Sequence, residues 1–334
     1  MSSSSRVAPP GVDLHPGTPP ILLADPAGDP PGWAAEHRDT LRAIVTEHGA
    51  VLIRGLGLRD PAQTTAVFHH LATDLMTEKE AFASRRTYPG GVYSSSTWPA
   101  NQQMCMHHEL SYTLQFPSLL LFACLRAPTT GGATGLADAP AILDALPPEL
   151  VDRFTREGWL LTRTYNHEIG APYTEAFGTE DRAAIEHYCR ANAIAFQWQP
   201  DGTLRTRQHR SAIVRHPITG RRSWFNQIAF LNQWTIDPEI RDYLIDVYGA
   251  DALPFNTHYG NGDPISADVI HLLNKTYDAH TAREPWQAGD LMLVDNIRTA
   301  HNRDPYHGPR DMLVALADPV RLADCSPTVD VSTR

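Results

Sequence analysis

The segment Met106-His107-His108-Glu109-Leu110-Ser111-Tyr112 sets an imidazole, His107, two residues from a carboxylate, Glu109. On a β-strand that spacing turns both side chains to one face. A second imidazole, His301, stands far downstream in Asp295-Asn296-Ile297-Arg298-Thr299-Ala300-His301. Two imidazoles and one carboxylate, with coordination positions left open, suit non-haem Fe(II) and O2 chemistry. Alone, a His-x-Glu match is weak evidence in a chain with 16 histidines, because so short a motif arises by chance. His108 falls on the opposite strand face and is not expected to be a ligand.

Donors so far apart in sequence need strands to bring them together. Ala50–Gly55 and Ser118–Leu125 read as buried strands, with further strands expected at 158–165, 211–216, 222–230, 290–295 and 311–317. Helical spacing runs from Trp33 to His48 and stops at Gly49. Asp60 is placed to cap a second helix through Phe68 and Leu71. Helices are also expected at 141–146, broken by Pro147-Pro148, at 149–154, and after Pro264 and Ser266. Short strands interleaved with helices, and donors split between distant strands, predict a mainly β fold with flanking helices, a double-stranded β-helix or jelly roll. Its mouth is a natural ligand site. Residues 1–31, rich in Ser and Pro, are expected to form an irregular arm, with Ile21-Leu22-Leu23 a candidate short strand. Residues 32–322 are expected to form one domain, and 323–334 a tail.

The net charge of −10 argues against nucleic acid as a partner, since phosphate binding needs basic patches. No 18-residue apolar run exists, so no membrane span is expected. Met1-Ser2-Ser3-Ser4-Ser5-Arg6 lacks the apolar core of a secretory signal. The cysteines at 105, 124, 189 and 325 match neither a disulfide framework nor a zinc cluster. A reducing cytoplasm fits them best. Cys105 is expected to be a buried strand thiol rather than a metal neighbour.

The motifs after Tyr112 carry more information than the His-x-Glu. Phe116-Pro117-Ser118-Leu119-Leu120-Leu121-Phe122 is followed by Gly131-Gly132-Ala133-Thr134 and Ala137-Asp138. Arg215-His216-Pro217-Ile218-Thr219-Gly220 and Trp224-Phe225-Asn226-Gln227 come later, then Gly289-Asp290 and Asp295-Asn296. The set closes with His301-Asn302-Arg303-Asp304-Pro305 and Gly308-Pro309-Arg310. In that order the chain, over roughly residues 40–320, resembles the taurine dioxygenase (TauD/TfdA) family of Fe(II)/2-oxoglutarate-dependent oxygenases. The branch it looks nearest to holds syringomycin-type amino-acid hydroxylases of natural-product pathways.

The resemblance implies iron ligands at His107, Glu109 and His301. It implies a hydroxyl contact to 2-oxoglutarate from Thr134, and a pairing of Arg310 with the distal carboxylate of 2-oxoglutarate. Chemistry agrees, because a guanidinium meets a carboxylate with two parallel hydrogen bonds. The implied reaction couples oxidative decarboxylation of 2-oxoglutarate by O2, to succinate and CO2, with hydroxylation of an unactivated C–H. Related halogenases carry a small residue at the carboxylate position, so Glu109 favours hydroxylation. Desaturation, epoxidation and cyclisation use the same triad and stay open.

Tyr112, Asn226 and Gln227 are candidate substrate contacts. Arg298, where many relatives are apolar, either binds a substrate carboxylate or sits on a strand edge. Arg303 supports either the His301 loop or the substrate. The expected partner is a small polar molecule, an amino acid free or on a carrier protein. Two rivals are a zinc hydrolase, which leaves Thr134 and Arg310 unexplained, and a non-catalytic jelly-roll binding protein, which has no need of an intact triad.

Overall fold

The strand Gln115–Arg126 organises the molecule. Its apolar run shows little alternation because both faces are buried. Leu120, Phe122 and Cys124 meet Leu52, Met292, Val294, Met312, Val314 and Leu316 in the inner core. Leu119, Leu121 and Ala123 instead pack with Leu41, Ile44, Val67 and Phe68 of the covering helices Pro30–His48 and Pro61–Leu71. Each such large side chain, fully buried, contributes about 1.5–3 kcal/mol. The computed structural model describes residues 11–83, 85–166 and 170–331.

Eight strands form the larger sheet, in the order 12–13, 21–23, 50–54, 291–295, 115–126, 311–321, 92–94 and 87–88. Facing it, a four-stranded sheet runs 281–282, 136–138, 299–303 and 104–107. Together they make the double-stranded β-helix. A further four-stranded sheet, ordered 194–198, 204–210, 159–165 and 255–259, stands to one side.

Local signals account for the helix boundaries. Asp29 accepts from the Gly32 N–H at 3.0 Å, which starts the first helix at Pro30, ahead of the expected Trp33. The helix ends at Gly49, whose φ of 86° only glycine adopts readily. A Cβ there would also sit 2.4 Å from the Thr299 hydroxyl. Asp60 caps the second helix through the Gln63 N–H at 2.9 Å, and Ser266 caps Ala267–Ala279.

Several expectations need correcting. The candidate strand Ile21–Leu23 is present and runs parallel to Ala50–Arg54, but the arm over 1–31 is less irregular than expected, because Val12–Asp13 pairs with that strand. Its first ten positions lie outside the described residues. The expected tail opens with a 3-10 turn, Leu322–Cys325, and its last three positions lie outside the described residues. The strand expected over 222–230 stops at Trp224, so Asn226 and Gln227 lie beyond its end. The side sheet was not foreseen at 194–210. Its strand Leu204–Arg210 buries Leu204, Thr206, Gln208 and Arg210, a mostly polar face that no hydrophobic periodicity reveals.

Candidate metal centre

His107 ends the strand Met104–His107, and its partner across the antiparallel ladder is His301 on Thr299–Arg303. This pairing sets the two imidazole centroids 4.3 Å apart. Glu109 reaches the same point by another route. The expected strand alternation does not hold, because the strand stops at His107 and a turn follows in which Leu110 has a φ of 55°. Asn296 holds that turn. Its Oδ1 accepts the Glu109 N–H at 2.8 Å, and its Nδ2 donates to the carbonyls of Glu109 and Pro117 at 2.9 and 2.8 Å. One donor atom from each of His107, Glu109 and His301 then lies within 4.8 Å of the others, and all three residues are buried.

Nδ1 of His107 lies 2.8 Å from the Cys105 carbonyl. A carbonyl only accepts, so Nδ1 carries the proton and Nε2 keeps a lone pair. Nε2 of His301 lies 3.9 Å from Glu109 Oε2, and its Nδ1 is buried without a partner. Burial holds both imidazoles below their ordinary pKa, and for His301 the neighbouring imidazoles and Arg85 add to it. Both are therefore neutral at pH 7. Two neutral imidazoles and a carboxylate converging in a buried spot make a donor set that fits a divalent cation. His108 turns away, with Nδ1 on the Asn296 carbonyl at 2.5 Å, and burial pushes its pKa down to about 4.

A pocket beside this point is lined by Thr134, His301, Asn302, Arg303 and Arg310. Gly131 and Gly132 make the approach possible: a Cβ on Gly131 would fall 2.2 Å from the Pro305 carbonyl oxygen. Thr134 is buried, and its hydroxyl accepts from the Trp286 indole at 3.2 Å. Arg310 stands immediately before the strand Asp311–Arg321, with Nε buried and unpartnered. Burial, with Arg303 nearby, lowers its pKa to about 10, which leaves it charged at pH 7.

A second cavity opens on the other side of His107 and Glu109. Its walls are Phe82, Trp98, Phe230 and Phe255, with Tyr112, Gln227, Glu78 and Arg85 as polar members. The Tyr112 hydroxyl is committed to the Glu80 carbonyl at 2.9 Å. Gln227 donates through Nε2 to the His108 carbonyl at 2.7 Å, so the atom left free and buried is its acceptor, Oε1.

The remaining candidates lie elsewhere. Asn226 is buried and spans its own loop, donating to the Ala212 carbonyl and accepting from the Ile228 N–H. Arg298 lines neither cavity. Its Nε donates to Asp138 at 2.9 Å, and its Nη1 donates to the carbonyls of Thr46 and Glu47 at the end of the first helix. The expectation that it meets a substrate carboxylate is corrected accordingly. Arg303 donates to the carbonyls of Trp98, Pro99 and Gln102, ahead of the strand Met104–His107 rather than in the His301 loop, and it also lines the pocket beside the triad.

Three residues of the site were not foreseen. Trp286 and Asn296 stand in or near quoted motifs but have no spacing that marks them. Arg85 is the third: its Nη2 lies 3.3 and 3.2 Å from the two Glu109 oxygens, and its Nε lies 3.3 Å from Glu78. An Arg pair in a Ser-rich loop gives no warning of this.

The model of the taurine catabolism dioxygenase TauD, TfdA family matches residues 15–316. The dapdiamide synthesis protein DdaC of Enterobacter agglomerans is 34% identical over 277 residues, 83% of this chain and 84% of that one. A clavaminate synthase-like protein of Arabidopsis thaliana is 26% identical over 287 residues, 83% of each chain. Among solved structures, PvcB of Pseudomonas aeruginosa shares the fold with a TM-score of 0.56 at 14% identity, covering 96% of this chain and 98% of its own. A putative alpha-ketoglutarate-dependent taurine dioxygenase from Burkholderia xenovorans does so at 0.54 and 16%, covering 95% and 93%. No helix among the described residues is long and apolar enough to cross a membrane. The chain belongs to the TauD/TfdA family and is a non-haem Fe(II)/2-oxoglutarate-dependent dioxygenase.

Proposed function

We propose that this enzyme hydroxylates an unactivated C–H of a small polar substrate, an amino acid free or held on a carrier protein, in cytoplasmic natural-product biosynthesis. In this reading His107, Glu109 and His301 hold the iron, while Thr134 and Arg310 receive the distal carboxylate of 2-oxoglutarate. The observation that carries it is the convergence of three buried donors beside a pocket whose wall includes Arg310, its Nε buried and unpartnered. When bound, iron and 2-oxoglutarate would supply the electrons that activate O2 for attack on the substrate C–H. The chain supplies placement. Arg310 and Thr134 offer two kinds of donor to one carboxylate. Phe82, Trp98, Phe230 and Phe255 exclude water from the substrate side. The free Oε1 of Gln227 accepts a hydrogen bond, which suits an ammonium or amide N–H. The Glu109 carboxylate occupies the place a halide would need. The relative DdaC, named for dapdiamide synthesis, supports a natural-product role. Four unpaired cysteines support a reducing compartment.

The test is a screen of amino acids and carrier-bound aminoacyl groups for substrate-dependent succinate formation under heavy-isotope O2. The product should carry one labelled hydroxyl and succinate one labelled oxygen. A chlorinated product in chloride buffer, or an unlabelled alkene, would refute hydroxylation. Arg310→Ala should raise the 2-oxoglutarate requirement and leave metal content intact. Truncating one member of a buried charge pair costs about 3–5 kcal/mol, or roughly two to three and a half orders of magnitude. An unchanged requirement would assign the carboxylate to another residue.

A further inference from the structure

The protein places one of its own cations, Arg85, against the candidate metal point. Arg85 places one nitrogen, Nη2, against both oxygens of Glu109, at 3.3 and 3.2 Å. Of these, Oε2 is the oxygen that lies 3.9 Å from His301 Nε2. The guanidinium therefore sits against the edge of the carboxylate that a metal shared with His301 has to engage. Arg85 also has a second anion. Its Nε lies 3.3 Å from Glu78 Oε2, and the side chains of Arg85, Glu78 and Glu109 are only 12%, 9% and 9% exposed. One positive charge is thus divided between two buried carboxylates, only one of which belongs to the candidate triad.

Two cations on one carboxylate repel each other, and this repulsion is weakly screened in a buried site. We infer that Arg85 is a tethered counter-cation for Glu109, which an incoming divalent metal must displace at least from Oε2, and that Glu78 is the berth that retains it. Arg85 is a positioning residue in this sense: it keeps the Glu109 carboxylate oriented before metal arrives and opposes metal binding in proportion to its hold. Glu78 weakens that hold by competing for the same guanidinium. The inference rests on the reading of His107, Glu109 and His301 as the metal ligands.

The opposite signs expected for two neighbouring variants test it. Mn(II) binding to the full chain is followed by the electron paramagnetic resonance signal of the free ion, with a thermal melt on each variant to confirm folding. Arg85→Met should bind Mn(II) about tenfold more tightly than the parent, and Arg85→Lys should stay near it. Glu78→Gln, which leaves Glu109 as the guanidinium's one carboxylate, should bind several-fold more weakly. If Arg85 were a structural prop, both Arg85→Met and Glu78→Gln would lower affinity. Equal or weaker binding by folded Arg85→Met overturns the inference. Should that variant fail to fold, unchanged or tighter binding by Glu78→Gln overturns it instead. His301→Ala separates the two readings: if it binds Mn(II) like the parent, the ligand assignment has failed; if it loses the ion while Arg85→Met gains nothing, only the role of Arg85 has failed.

Discussion

The two sides of the site are held by different forces. On the metal side, a backbone ladder sets His107 opposite His301, and one amide side chain, Asn296, fixes the turn that carries Glu109. Around the aromatic cavity, proposed above as the substrate side, buried charge does the holding. Glu80, with a φ of 58° and almost no exposure, accepts from Tyr188 at 2.8 Å and Gln208 at 2.6 Å through its carboxylate. Its carbonyl accepts from Tyr112 and from Arg163, whose guanidinium lies 3.5 Å from the Phe82 ring centroid. Burial raises the Glu80 pKa, against the pull of these partners. A ladder shares its load over many backbone bonds. A buried charge network fails as a unit when one member is removed. The metal side should thus lose function by losing a donor, and the substrate side by losing its shape.

His301→Ala should produce the largest effect, a fall of Fe(II)-dependent succinate formation to background with a normal melting profile. Full activity would remove His301 from the ligand set. Next in size, Glu80→Ala should cost roughly 3 kcal/mol, because it strands the half-buried Tyr188 and buried Gln208 donors and leaves Arg163 and Arg210 without a nearby anion. Urea melts measure this, and Mn(II) affinity should hardly change. A large loss of metal affinity in folded Glu80→Ala would show that the two sides are coupled. The smallest effect is expected from Arg298→Ala, which removes the tie between Asp138 and the end of the first helix. It should destabilise by about 1–2 kcal/mol and leave the KM for substrate within twofold. A tenfold rise in KM would return Arg298 to the substrate side.

Much of the metal side was legible in the linear chain. His107, Glu109, His301, the Gly131-Gly132 turn and the Arg310 position are local motifs, and a ladder needs only strand propensity and register to bring His107 and His301 together. The long apolar strands and the capped helices were legible for the same reason: their physics repeats every two or every 3.6 residues. Thr134 and Arg310 fell beside the triad as their motifs implied, while the role of each awaits its test. Arg298 and Asn226 show the limit. A polar residue in a motif has a type and a place in line, but its partner depends on which backbone carbonyl or carboxylate folding brings within 3 Å. Arg298 found the end of the first helix, far upstream in the chain. The buried charges Glu78, Glu80, Arg85 and Arg163 were decided by the tertiary structure alone. A buried ion can exist only where the fold supplies its counter-ion, and that pairing leaves no period or spacing in the sequence to read.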